Sequence, residues 1–233
     1  YPPRVYWRID NVTGNNIGPP VKSITTYQHL LRPWYVQAKQ AVQGKGFRVS
    51  LWSKLYIFAT EVVLGLSHLE PLVDPATGAF VGCLATDLGM HRIEAWLQAT
   101  YKGSQQVVFI TEGSTGNLVA SSRPGEQPLL LKNTTTGKFQ RIHSTNSVVP
   151  AIKAAARWLE ARGWDYAKPY SLDIVDELAG TTPKHTRWFI EFTSFVEGNI
   201  DWKVIVLQPV ACPPGAVLDL VTRECLQCRA GTT

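Results

Sequence analysis

The 233-residue chain has no long apolar run, one methionine and only four cysteines. No stretch approaches the roughly 20 apolar residues that a membrane-spanning helix needs, and the opening Tyr-Pro-Pro-Arg does not resemble a signal peptide. We therefore expect any membrane anchor to lie outside this segment. Charged residues make up 18% and hydrophobic residues 45% of the chain, a composition typical of a folded globular protein with a core of useful size.

Sequence motifs for catalysis and for metal binding are also missing. There is no glycine-rich loop for nucleotides, no HExxH and no nucleophile elbow. The five histidines are dispersed without metal-ligand spacing, at His29, His68, His91, His143 and His185. We therefore expect no enzymatic activity, no cofactor and no metal site.

Positive charge is present but not concentrated. The net charge is +5, yet the basic residues are scattered in ones and twos from Arg4 to Arg229. Proteins that bind nucleic acid usually concentrate such residues in a patch or run along the phosphate backbone. The distribution favours a mildly basic, solvated surface, and we expect no nucleic-acid partner.

The cysteines are concentrated at the end of the chain. Cys83 stands alone, whereas Cys212, Cys225 and Cys228 lie close together, which is more typical of an exported protein than of a cytosolic one. Zinc binding at the Cys-x-x-Cys pair is the less favoured alternative, because a fourth nearby ligand is missing. All four cysteines are disulfide candidates. Because three clustered cysteines cannot all pair, either Cys83 pairs with the tail or a partner lies beyond residue 233.

Two N-glycosylation motifs favour the same compartment. Asn11-Val-Thr and Asn133-Thr-Thr both satisfy the acceptor pattern, and both lie in turn-like surroundings rich in glycine or threonine. Together with the cysteine-rich tail, they predict a glycoprotein exposed on the extracellular side of a membrane.

Apolar periodicity in residues 1–104 predicts several strands. Those strands are expected at 5–9, 47–58, 61–66, 71–73 and 79–88. A loop at 11–18 should follow the first of them, and Gly65, Pro71 and a turn at 74–78 should separate the later ones. Strands joined by tight turns predict an antiparallel sheet.

Two helices are expected to accompany this sheet. Apolar residues at helical spacing predict helices at 26–42 and 91–101. Pro33 is tolerated best in a first turn, so the first helix can begin near Arg32. Gly103 is a suitable residue to end the second helix.

Residues 105–210 repeat this organisation. The strands are predicted at 107–111, 118–121, 170–175, 187–196 and 202–209. The clearest helix of the chain is predicted at 147–162, ending at Gly163. The fold class is therefore α+β, with two units at 1–104 and 105–210, each an antiparallel sheet flanked by helices, followed by a Cys-rich tail at 211–233.

Six polar or aromatic residues of the first unit have the chemistry to bind a zwitterion: Tyr27, Arg32, Trp34, Tyr35, Tyr56 and Asp87. A guanidinium binds a carboxylate through two hydrogen bonds, and an indole N–H adds a donor. An ammonium group needs a carboxylate, ideally beside aromatic faces. Taken one at a time, such residues most often serve as core aromatics, surface charges or caps.

The spacing of these residues resembles that of a known family. The chain is similar to the ligand-binding half of double Cache sensor domains, built from PAS-like units, through Tyr27-Gln-His-Leu-Leu-Arg-Pro-Trp-Tyr35, Trp52-Ser53, Tyr56, Asp74-Pro-Ala-Thr-Gly78 and Asp87-Leu88. In members that bind amino acids, the Arg and Trp contact the ligand carboxylate, and the later Tyr and Asp contact its amine.

The resemblance extends over about residues 1–210, and it assigns these roles here to Arg32 and Trp34, and to Tyr56 and Asp87, with Tyr27 and Tyr35 assisting. Loss of Arg32 or Asp87 should weaken binding by on the order of 2–5 kcal/mol. The tail at 212–231 looks like the small Cys-rich juxtamembrane repeats of some eukaryotic receptors.

The resemblance implies an extracellular sensor that binds a free amino acid in the unit at 1–104 and relays the signal to a membrane-spanning output. One alternative is an amine without a carboxylate, in which case Arg32 would be structural. Another is a ligand-independent interaction domain, as in an auxiliary channel subunit. The oligomeric state is left open, with a homodimer among the alternatives.

Overall fold

The structure is a computed structural model. It describes residues 4–24, 27–45, 50–59, 62–113, 115–123, 129–164, 170–176, 184–210, 216–218 and 225–227. The fold is mixed α+β with antiparallel sheets and few helices, as predicted. The chain divides into two compact units, one formed by Tyr1–Val62 and Ser67–Asp87, the other by Val63–Leu66 and Leu88–Thr233. The division predicted at residues 104 and 210 stays a prediction.

The first stretch of the chain alternates short strands with one helix. Its elements are β1 (Arg4–Ile9), β2 (Asn16–Ile24), α1 (Pro33–Lys45), β3 (Leu51–Trp52), β4 (Tyr56–Ile57), β5 (Leu64–Val73) and β6 (Phe80–Gly89). β1 and β2 form an antiparallel hairpin, and β3, β4 and β6 all pair with β5.

The first helix begins at Pro33, close to the expected start. Proline suits this position because the first N–H groups of a helix have no partner within the helix. Residues His29–Leu31 form a short 3₁₀ turn before the helix, so the helical segment predicted from 26 is shorter than expected. Thr25 and Thr26 lie outside the described residues.

Several predicted strand boundaries of the first stretch are wrong. Asn16–Ile24 is a strand and not part of a loop, because it pairs with β1. Gly65 and Pro71 do not interrupt β5, which runs for ten residues and is mostly buried. Burial and pairing therefore outweigh the local preference of these two residues. Of the strand predicted at 47–58, residues 47–49 lie outside the described residues, and the described part contains only the short β3 and β4.

Three hairpin turns share one geometry. Asp10, Asp74 and Asn133 each accept a backbone hydrogen bond from a glycine four residues later, at 2.8–2.9 Å. Each glycine has a positive φ, which is +68° at Gly78. The Oδ1 atom of each Asx residue accepts backbone N–H groups two and three residues later. The sequon asparagines Asn11 and Asn133 thus lie in tight turns; their glycosylation stays a prediction.

The rest of the chain contains α2 (Met90–Thr100), β7 (Val107–Glu112), β8 (Leu118–Ser121), β9 (Leu130–Lys132), β10 (Phe139–Arg141), α3 (Pro150–Glu160), β11 (Tyr170–Asp176), β12 (Lys184–Glu197), β13 (Ile200–Val210), β14 (Ala216–Leu218) and β15 (Cys225–Gln227). The central sheet has the order β11-β12-β13-β7-β8. The hairpins β9–β10 and β14–β15 were not predicted.

The core of the second unit lies between this sheet and α3. Phe109, Ile152, Leu159 and Ile205 are fully buried. α3 has a continuous apolar face, as its sequence predicts, and Pro150 stands in its first turn. Among the described residues, no helix has both the length and the apolar character needed to cross a membrane.

Candidate ligand-binding site

A cavity of about 220 Å³ lies within the first unit. This volume is below the roughly 300–1,000 Å³ of pockets for drug-sized ligands, so the cavity suits a small molecule. It is lined by Arg4, Tyr6, Tyr27, Arg32, Trp34, Tyr56, Phe58, Ala59, Cys83, Ala85 and Asp87.

Arg32 is positioned by the start of α1. It has an extended backbone (φ −75°, ψ 145°), which is the conformation that a following proline favours. Its Nη2 donates to the carbonyl oxygen of Ile57 at 2.7 Å, and its Cζ lies 5.5 Å from the centre of the Tyr56 ring. Its Nε is a buried donor without an acceptor. The guanidinium therefore has hydrogen-bonding capacity that the described residues do not use.

Asp87 lies near the end of β6, on the same pocket wall as Cys83 and Ala85, because alternate residues of a strand share a face. Its Oδ1 accepts a hydrogen bond of 2.6 Å from the Ser67 hydroxyl. The Tyr56 hydroxyl lies 2.7 Å from the same serine oxygen. Since a serine hydroxyl has one proton, Tyr56 donates to Ser67 while Ser67 donates to Asp87.

A second serine, Ser53, fixes the position of Ser67 in the Tyr56–Ser67–Asp87 hydrogen-bond chain. Ser67 is fully buried, and its backbone N–H donates to the Ser53 hydroxyl at 2.9 Å. Burial raises the pKa of Tyr56 to about 12, so its phenol stays protonated at neutral pH and remains a donor. Asp87 itself is exposed to solvent, which leaves its carboxylate accessible from the cavity.

Arg4 and Tyr6 of β1 form a further part of the wall. The Arg4 guanidinium lies 4.5 Å from the centre of the Tyr27 ring and 5.2 Å from that of Tyr6. The Tyr6 hydroxyl is a buried polar atom without a partner, and burial raises its pKa. Neither residue was predicted from the sequence. The sequence signal for them was the alternation of side chains along β1, since residues two apart, such as Arg4 and Tyr6, lie on one face of a strand.

Five of the six predicted site residues line this cavity: Tyr27, Arg32, Trp34, Tyr56 and Asp87. Tyr35 is not among the lining residues. Its ring makes edge contacts instead, 5.3 Å from Phe80, 5.7 Å from Trp34 and 6.0 Å from His29. Tyr35 thus supports Trp34 from behind. Phe58 lines the cavity and Ser67 joins two lining residues by hydrogen bonds, and neither was predicted from the sequence.

Cys83 has a free thiol and lines the cavity. Burial raises the pKa of this thiol. Of the two alternatives for the cysteines, the pairing of Cys83 with the tail is therefore not present in this structure. Cys212 and Cys228 lie outside the described residues, and Cys225 begins β15. No group of three metal-binding side chains occurs within the described ranges.

Comparison with known proteins finds similarity only among solved structures. No family model matches the sequence, and no curated protein does. The chain is similar to the ligand-binding domain of Mlp24 with asparagine, at 15% identity over 81% of this chain and 60% of that one, with a TM-score of 0.45.

Two further matches are ligand-binding domains of chemoreceptors. For the Pseudomonas aeruginosa amino acid chemoreceptor PctC with GABA, the identity is 15% over 78% of this chain and 63% of that one, with a TM-score of 0.45. For Pseudomonas fluorescens CtaA with L-serine, the identity is 13% over 81% and 64%, with a TM-score of 0.46. The chain thus spans less than two thirds of the length of these matches, all of which are ligand-binding domains.

Proposed function

We propose that this chain is the extracellular sensing part of a membrane receptor and binds a free amino acid in the cavity of its first unit. Arg32 and Trp34 bind the ligand carboxylate. Asp87 binds the ammonium group, with Tyr56 acting on it through Ser67. Tyr27 contributes to the wall, and Tyr35 supports Trp34. The signal is relayed to a membrane-spanning output outside this segment.

One observation supports the proposal most directly: a guanidinium and a carboxylate line the same small cavity. Arg32 and Asp87, both described residues, do not form a salt bridge with each other. Arg32 has a buried donor without an acceptor, a feature expected where the partner is a bound molecule or water. Among the described residues, Asp87 accepts a side-chain hydrogen bond from Ser67, so other lone pairs remain for an ammonium group.

Two linked hydrogen bonds orient the carboxylate of Asp87. Tyr56 donates to Ser67 and Ser67 donates to Asp87, so the chain holds one carboxylate oxygen of Asp87 in place. The Tyr56 ring already faces the Arg32 guanidinium. Tyr56 therefore connects the two charged ends of the site, and it acts at Asp87 through its hydroxyl and not through its ring.

Calorimetric titration of the purified chain tests this function. A panel of free amino acids should include at least one that binds, and the matching decarboxylated amine should bind at least tenfold more weakly, because it leaves Arg32 without its anion. Equal affinity for the amine would favour the alternative of an amine ligand and a structural role for Arg32. No binding by any amino acid would contradict the proposal and favour a ligand-independent interaction domain.

A further inference from the structure

The charges that line the cavity do not match those of an ordinary amino acid. Among the described residues that line the cavity, two carry a guanidinium group, Arg4 and Arg32, and one carries a carboxylate, Asp87. An amino acid with a neutral side chain uses Arg32 and Asp87 and leaves Arg4 without an anion. Binding sites arrange complementary charges around their ligands, so the third charge indicates a third ionised group on the ligand.

Arg4 contacts two aromatic rings. Its guanidinium lies within 5.2 Å of the ring centres of both Tyr6 and Tyr27. Arg4 forms no salt bridge with another described residue. Packing against aromatic rings holds a guanidinium in place. Its N–H groups, which lie in the plane of the guanidinium itself, stay available to bind an anion.

Arg4 and Asp87 belong to different parts of the cavity wall. Arg4 packs with Tyr6 and Tyr27, whereas Asp87 joins Ser67 and Tyr56. The charges of both Arg4 and Arg32 act on the Tyr6 phenol, while those of Asp87 and Arg32 act on the Tyr56 phenol. Arg32 thus lies near both phenols.

We infer that the cavity prefers an amino acid with a second carboxylate in its side chain, and that Arg4 binds this carboxylate and so determines specificity. The inference rests on the proposed function, because it takes Arg32 and Asp87 as the sites for the ligand's α-carboxylate and ammonium groups. The volume of about 220 Å³ is equivalent to roughly seven waters at about 30 Å³ each, which suits a single amino acid of this class.

Calorimetry with closely matched ligands tests the inference. The purified chain is titrated with L-glutamate, L-glutamine, L-aspartate and L-asparagine at neutral pH and low salt. We expect at least one acid to bind about tenfold more tightly than its amide, because a hydrogen bond between two charged groups is stronger than one to a neutral amide. Arg4 is exposed, so this preference should shrink as salt is added.

Variants of β1 provide the controls. Arg4→Gln should reduce the preference for acid over amide to about twofold or less, while leaving the affinity for the amide nearly unchanged. Arg8→Gln removes the same charge from the same strand at an exposed position outside the cavity, and should keep the preference. Arg4→Lys keeps the charge and should retain part of the preference. Thermal unfolding of each variant checks that it folds.

The possible results separate the two proposals. If L-glutamine binds as tightly as L-glutamate and L-asparagine as tightly as L-aspartate, the inference is wrong and the proposed function stands. The inference is equally wrong if Arg4→Gln and Arg8→Gln change the preference to the same extent. Absence of binding by every amino acid overturns both.

Discussion

Replacement of Asp87 by asparagine removes one charge and little else. The amide keeps the size of the side chain. Its oxygen can still accept a hydrogen bond from the Ser67 hydroxyl, whose Oγ lies 2.6 Å from Oδ1 of Asp87. Tyr56 and Ser67 therefore keep their places. The change isolates the attraction between the carboxylate and the ammonium group of an amino acid.

The exposure of Asp87 sets the size of the expected effect. A fully buried charge pair loses about 3–5 kcal/mol when one partner is removed, whereas an exposed pair contributes about 0.2–1 kcal/mol. Asp87 is exposed but lines a cavity and is fixed by a buried serine. We expect a loss of about 1.5–2 kcal/mol, or roughly 10- to 30-fold in affinity. This estimate lies at or below the lower end of the 2–5 kcal/mol expected from the sequence.

The assay is calorimetric titration of the native chain and of Asp87→Asn with the tightest-binding amino acid and with the carboxylic acid that lacks its amino group. The variant should lose affinity for the amino acid and keep its affinity for the acid. Ser67→Ala serves as a second variant, since it leaves the charge but removes the donor that fixes it, and should lose less. Unchanged affinity in Asp87→Asn, or equal losses for both ligands, would refute the assignment of Asp87 to the ammonium group.

Three further predictions concern stability. Burial raises the pKa of Glu94 from 4.5 to about 7, so Glu94 ionises at lower pH in the unfolded protein than in the folded one, and stability falls as the pH rises from about 4.5 through 7. The pKa difference of about 2.5 corresponds to about 3 kcal/mol, and the partial solvent exposure of Glu94 reduces the expected loss to about 1–2 kcal/mol. Glu94→Gln should recover this stability above pH 7 in urea titrations. Gly78→Ala should destabilise by about 1 kcal/mol because φ is +68°, whereas Gly82→Ala, a strand glycine with open space and no positive φ, should be neutral or slightly stabilising in the same titrations. Phe109→Ala should lower the free energy of unfolding by about 3–5 kcal/mol, measured by denaturant titration, because the ring is completely buried; a loss below 1 kcal/mol would contradict its place in the core.

Helices were predicted well where periodicity and end signals agreed. α2 and α3 lie within the predicted segments or one residue outside them, because apolar spacing defines the buried face and Gly103 and Gly163 follow the helix ends. Strand limits were predicted poorly around Gly65 and Pro71. Both residues usually end strands, but neighbouring strands and burial stabilise β5 through them.

The site was predicted only in part, because the roles of some of its residues depend on contacts between distant parts of the chain. Arg32, Trp34 and Asp87 were identified through their resemblance to a family pattern, and all three line one cavity. Ser67 is an ordinary serine in the sequence, and only its position between Tyr56 and Asp87 gives it a role. Arg4 likewise becomes part of the site only because β1 lies beside Tyr27.

The sequence by itself determined the α+β class, the helices α2 and α3, the tight turn at Asp74, and the residue types able to bind a zwitterion. These follow from local rules, namely apolar spacing, turn preferences and side-chain chemistry. Only the tertiary structure decided that Arg4, far away in the chain, shares one cavity with Arg32 and Asp87, so that the described lining residues carry two positive charges and one negative charge. Such convergence depends on strand pairing between distant segments, which no local pattern specifies.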